Sequence, residues 1–211
     1  MIKTILFDLD GTLIETPKII LSTFQELFDQ YIPHVQLTDA LLSSFLGQTL
    51  FKTFETYVDD PKKVDELVKI YRDVSEEKIN LGLSAYRGAK EVLIYLRKKG
   101  IQVGVVTSKL KTVATEHLIK TDLFDEIQGL IGYEDVINHK PDPEPILKAI
   151  AYFNSEKEET LYVGDHENDI IAAKKAGILT CAVSYSLRLQ EMLFENPDFV
   201  IDELKHIKDL V

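Results

Sequence analysis

The chain has 211 residues, 45% of them hydrophobic, enough to bury a real core in one domain with an elaboration or in two. Its 35 acidic and 24 basic side chains leave a net charge of −11, which argues against nucleic acid or a membrane surface as partner. No apolar run approaches bilayer-spanning length and the start carries no signal-peptide pattern, so a cytoplasmic protein is expected.

In chain order, Ile2, Ile5, Leu6 and Phe7 read as a short buried strand that runs into Asp8, Asp10 and Gly11. Turn chemistry accounts for Asp10-Gly11 but leaves Asp8 unexplained, since adjacent like charges at a strand end call for something positive. The next block, residues 15–83, reads as helices only: Lys18–Phe28, Thr38–Phe45 with Thr38 as a cap, Thr49–Tyr57 and Pro61–Ile79. Pro17, Pro33 and Pro61 punctuate it, and no strand pattern intervenes. It is expected to be a helical insertion into a core made of residues 1–14 and 84–211.

From Gly88 the texture changes. Ala89, Val92, Leu93 and Leu96 recur at helical spacing, Arg97-Lys98-Lys99 fill the last turn, and Gly100 ends it. Ile101–Thr107 follows as a strand, then a helix over Thr112–Lys120 and a strand near Ile127–Ile131. Pro143 can open a helix carrying Ile146, Leu147, Ile150 and Phe153; Thr160–Gly164 is a strand, a helix runs to Ala176, and Ile178–Val183 is another strand. Strands alternating with helices of this size predict an α/β fold, a doubly wound, Rossmann-like parallel sheet with an inserted all-helical cap. The lone Cys181 lies in an apolar run and reads as a small hydrophobe.

In such a sheet ligands bind beyond the carboxyl ends of the strands. Four polar groups fall there: Asp8 and Asp10; Thr107, Ser108 and Lys109; Lys140; and Asp165 with Asp169. Singly, each has an ordinary explanation, such as a helix cap at Thr107-Ser108, a solvated lysine at Lys140, or first-turn charge at Asp169. Together those explanations require four coincidences at one end of one sheet.

With these residues in place, the chain resembles the haloacid dehalogenase-like hydrolase superfamily. Its four motifs occur in order: Asp8–Thr12 (DLDGT), Thr107-Ser108, Lys140 before Pro141, and Gly164–Asp169 (GDHEND). The helical block matches that family's small cap. Phosphoglycolate phosphatases and bacterial pyrophosphatases are the most similar branches, and Phe45–Phe54 and Lys140–Ile146 look more like the pyrophosphatases.

The resemblance implies a Mg²⁺-dependent hydrolase of small phosphorylated metabolites. Asp8 would be the nucleophile that carries an aspartyl-phosphate, and Asp10 the acid and base. Asp8, Asp165 and the Asp10 carbonyl would hold Mg²⁺, with Asp169 behind them. Thr107, Ser108 and Lys140 would bind phosphoryl oxygens, and Gly47 and Gln48 would meet the substrate from the cap. A phosphoglycolate phosphatase leads this expectation, with inorganic pyrophosphatase as the alternative. A phosphosugar mutase or a non-catalytic phosphate-binding protein stands further back. A dehalogenase would lack Asp10. Glu15-Thr16 and His166 depart from common family patterns; His166 could touch substrate or face water. His34, His117, His139 and His206 show no metal-ligand spacing and read as structural or surface residues. Nothing in the sequence speaks to oligomeric state.

Overall fold

Strand β1 (Thr4–Phe7) has all four side chains buried, which is what an apolar run without alternation requires. The structure, a computed structural model, describes residues 1–211. Six parallel strands form one sheet: β1, β2 (Gln102–Val106), β3 (Gly129–Ile131), β4 (Thr160–Gly164), β5 (Leu179–Val183) and β6 (Phe199–Ile201), in the spatial order β3-β2-β1-β4-β5-β6. The order reverses at β1, so the crevice at its carboxyl end is the topological switch point.

Helices cover both faces. The strand period of two sends Ile5, Phe7, Val103, Val105, Leu161 and Val163 to one side, against Val92, Leu93 and Leu96 of α5 (Ala89–Lys98) and Ala114 and Leu118 of α6 (Lys111–Lys120). Leu6, Val106 and Tyr162 point to the other side, against Ile146, Ala149, Ile150 and Phe153 of α7 (Glu144–Phe153) and Ala172, Ala173 and Ala176 of α8 (Glu167–Ala176). The small α9 (Leu189–Phe194) seats Met192 against Ile170 and Ala182.

The chain divides into two compact units, Met1–Glu15 with Ser84–Val211, and Thr16–Leu83. In the first, the two segments that lead out and back run side by side: the Glu15 amide donates to the Ser84 carbonyl at 2.9 Å and the Tyr86 amide to the Leu13 carbonyl at 2.9 Å. The second holds α1 (Pro17–Tyr31), α2 (Asp39–Ser43), α3 (Leu50–Glu55) and α4 (Pro61–Leu81). Its own core is Phe24, Leu27, Phe28, Phe45, Phe54, Val64, Leu67 and Tyr71, with Phe24 and Phe45 rings edge-on at 5.0 Å.

Element boundaries differ from the sequence expectation in physically legible ways. Thr38 does cap α2, accepting from the Leu41 amide at 3.2 Å, but that helix stops at Ser43. Leu110, and neither Thr107 nor Ser108, is the residue that precedes α6, so the ordinary cap explanation for that pair does not hold. Strand β6 and helix α9 were not expected from the sequence: β6 is three residues long and half exposed, too short to show a period.

Candidate active site

The register of the sheet sets the positions. Phe7 pairs with Val105 on one side and Val163 on the other, so Asp8 stands level with Val106 and Gly164, and Thr107 and Asp165 lie one residue further out. The Asp8 amide donates to the Val163 carbonyl at 2.9 Å, extending the ladder by one bond past β1. Asp8, Asp165 and Asp169 offer carboxylate oxygens within 4.8 Å of one another, and all three are buried.

One cation lies among them. Lys140 enters from the loop before α7, its side chain only 3% exposed. Its ammonium donates to Asp8 Oδ1 at 2.7 Å, Asp169 Oδ1 at 2.7 Å and the Tyr162 hydroxyl at 3.0 Å. Tyr162, buried in β4, donates its own hydroxyl hydrogen bond to the Val106 carbonyl at 2.9 Å. Burial alone would lower the lysine's pKa; Asp169 and Asp8 outweigh it and hold the ammonium charged well above its ordinary range. Asp169 Oδ2 accepts from the His166 amide at 3.1 Å, so both of its oxygens are engaged by the protein.

The crowding of carboxyls in this buried space disfavours their charged forms. Burial first, then the neighbouring Asp169 and Asp10, push Asp8 up to about 7 against the pull of Lys140. Asp165 is raised well above the carboxylate range by burial and by Asp8 and Asp169. Three carboxylates facing one ammonium is an arrangement that a hard divalent cation relieves. The backbone makes room for the Asp165 carboxylate. Gly11 has φ +81°, and a Cβ there would come within 2.0 Å of Asp165 Oδ2. Thr12 Oγ1 approaches Asp165 Oδ1 at 3.5 Å, the Tyr185 hydroxyl donates to the Thr12 carbonyl at 2.8 Å, and Ser186 donates to the Asp165 carbonyl.

Asp10 is treated differently. It is partly open, and its Oδ1 accepts from Lys109 Nζ at 2.7 Å. Lys109 also lies 2.9 Å from His117 Nδ1, on α6. Thr107, 5% exposed, donates its amide to Ile131 at 3.0 Å, and its Oγ1 accepts from the Lys109 amide at 3.2 Å. Ser108 is half-buried.

Asp8 and Asp169 thus share the Lys140 ammonium, Asp165 lies within 4.8 Å of both, and Asp10 bonds a second lysine. Gly47 and Gln48 belong to the helical unit. There Gly47 has φ +71° and the Gln48 side-chain Nε2 donates to the Ser44 carbonyl at 2.6 Å. His166 is only 3% exposed, which excludes the water-facing alternative, and its Nδ1 accepts from the Asn168 amide at 3.0 Å as part of the cap of α8. The sequence placed Lys109 at the site's strand ends without a role, and gave Tyr162 and His117 no part there. A tyrosine in a buried strand is the one signal that marked Tyr162, because its hydroxyl must find a partner.

Comparison with known proteins identifies the family. The haloacid dehalogenase-like hydrolase family model matches residues 5–183. The pyrophosphatase PpaX of Anoxybacillus flavithermus is 36% identical over 211 residues, spanning 100% of this chain and 97% of its own length. That of Bacillus pumilus is 34% identical over 211 residues, spanning 100% and 96%. Among solved structures, a haloacid dehalogenase-like hydrolase from Bacteroides fragilis superposes with a TM-score of 0.88 at 27% identity, covering 98% of this chain and 100% of its own. With a family model over most of its length and relatives above 30% identity across all of it, the chain belongs to the haloacid dehalogenase-like hydrolases.

Proposed function

We propose that this hydrolase is a Mg²⁺-dependent phosphatase of small phosphate compounds that works through an aspartyl-phosphate on Asp8, with inorganic pyrophosphate as its preferred substrate. The observation that carries the chemistry is the buried Asp8–Lys140–Asp169 contact beside Asp165, at the carboxyl end of the central strand.

The donor set fits Mg²⁺: it is all oxygen, with three clustered carboxyl groups, and Gly11, lacking a side chain, makes room for that of Asp165. Asp8 and Asp165, with the Asp10 carbonyl, would hold the ion, and Asp169, whose oxygens serve Lys140 and the His166 amide, would orient that shell. When bound, the ion would supply charge neutralisation for the phosphoryl oxygens.

The chain's own groups do the rest. Lys140 keeps Asp8 oriented by its 2.7 Å bond and faces the charge that gathers on the transferring group. A carboxylate oxygen of Asp8 attacks phosphorus and the bond to the leaving oxygen breaks. Asp10 gives that oxygen a proton, then takes one from the water that cleaves the aspartyl-phosphate. Thr107 and the Ser108 amide would hold phosphoryl oxygens. The helical unit, residues 15–83, would act as a cap that excludes water and contacts the non-reacting part of the substrate through Gly47 and Gln48.

The sequence alone placed phosphoglycolate ahead of pyrophosphate. The order is reversed here because the pyrophosphatase relatives span the whole chain at 34–36% identity. The test is a turnover panel of pyrophosphate, phosphoglycolate, sugar phosphates, nucleotides and p-nitrophenyl phosphate, with and without Mg²⁺. Metal-dependent release of inorganic phosphate, with the highest kcat/KM on pyrophosphate, is expected. A higher kcat/KM on phosphoglycolate would overturn the substrate alone, and no phosphate release from any compound would overturn the phosphatase.

A further inference from the structure

The two lysines of the site divide the carboxylates between them. Lys140 is buried and serves Asp8 and Asp169; Lys109 reaches Asp10 alone of the site's aspartates, at 2.7 Å. Lysine side chains at a site mouth ordinarily roam, because fixing four rotatable bonds costs side-chain entropy. Lys109 is restrained at both ends. Its amide donates to Thr107 Oγ1 at 3.2 Å, its carbonyl accepts from the Tyr133 amide at 2.8 Å, and its ammonium meets His117 Nδ1 at 2.9 Å. His117 is on the buried face of α6 and fully buried, so the point where the ammonium rests is set by the core. An ammonium has donors only, so this contact draws on the lone pair of His117 Nδ1.

We propose that Lys109, seated by His117, is a positioning residue that fixes the Asp10 carboxyl for proton exchange with the leaving oxygen. The inference rests on the acid and base role of Asp10 proposed above. With Oδ1 taken by the ammonium, the transferable proton is confined to Oδ2. As the bond between phosphorus and the leaving oxygen breaks, that proton moves to the leaving oxygen and the charge left on Asp10 forms 2.7 Å from a fixed cation. The interaction is therefore stronger after proton transfer than before, the condition for lowering a barrier. In the second half-reaction, the same contact holds the carboxylate ready to take a proton from water.

The test uses kcat/KM, which reports transfer to Asp8, for p-nitrophenyl phosphate and phenyl phosphate with Mg²⁺ present. Phenoxide is the poorer leaving group and needs the acid more. Asp10→Asn should lose at least about 100-fold more on phenyl than on p-nitrophenyl phosphate, within the range for general acid catalysis. Lys109→Met should show the same selectivity at about ten-fold, and Lys109→Arg should bring the ratio back toward wild type because a guanidinium can also reach Asp10. Lys109→Gln is measured alongside, and folding of each variant is checked by its Tm. Equal losses of Lys109→Met and Lys109→Gln on both esters, or none, beside a selective Asp10→Asn would overturn the role of Lys109. A non-selective Asp10→Asn would overturn the acid role itself and the inference with it.

Discussion

Asp165 packs directly against Gly11: an added Cβ would lie 2.0 Å from Asp165 Oδ2 and 2.6 Å from its Cγ. The turn after β1 can pass this close only without a side chain, and its φ of +81° independently favours glycine. The strand end that carries Asp8 and the strand end that carries Asp165 are thereby brought to one point. Gly11→Ala must displace the Asp165 carboxylate or the turn. It should raise the Mg²⁺ concentration for half-maximal activity at least about ten-fold and lower Tm by about 3 °C or more, the cost of a left-handed alanine being roughly 1–2 kcal/mol. Unchanged Mg²⁺ activation would show that the close approach has no part in metal binding.

Asp8→Asn keeps an acceptor for Lys140 but removes the nucleophile. Turnover should fall on the order of 10³-fold or more while the fold is retained. Because burial raises the Asp8 carboxyl, the neutral amide should leave the metal-free protein at least as stable above pH 7. A folded variant with ordinary kcat would remove Asp8 from the mechanism.

Lys140→Met leaves Asp8 and Asp169 buried without their cation. Removing one member of a buried pair costs about 3–5 kcal/mol, on the order of 10 °C in Tm for a chain this size. Thermal unfolding measures this directly, and a shift below about 2 °C would show that the carboxyls simply take up protons in its place.

The metal and pH are linked. Asp8 moves from 3.8 to about 7, so between these values the folded protein holds a proton that the unfolded chain has released. Stability of the metal-free protein therefore falls as pH rises through that window. Mg²⁺ replaces those protons, so its Tm increment should be near zero below about pH 5 and reach several degrees above about pH 7. An increment independent of pH would place the ion elsewhere. Activity should likewise vanish in excess EDTA, and Ca²⁺ should inhibit, since it takes more ligands at longer distance.

In the helical unit, Gln48→Ala should cut kcat/KM for the preferred substrate about ten-fold and leave p-nitrophenyl phosphate nearly unchanged. Equal losses on both would point to the lost bond to the Ser44 carbonyl, a local destabilisation of the loop before α3.

The residue pattern by itself determined the strand-and-helix alternation after Gly88, the all-helical block, and the polar residues at the strand ends, because each is a local signal of period, cap or breaker. It could not reveal β6, whose three residues show no period, nor end α2 at Ser43, where neighbouring turns compete. Which charge meets which follows from the fold. Lys140 and Asp8 are 132 positions apart and Lys109 and Asp10 are 99 apart, and no local rule links them. The parallel register places Asp8 level with Val106 and Gly164, and burial then forces the charges there to find partners, since an unpaired charge in that space is too costly to keep.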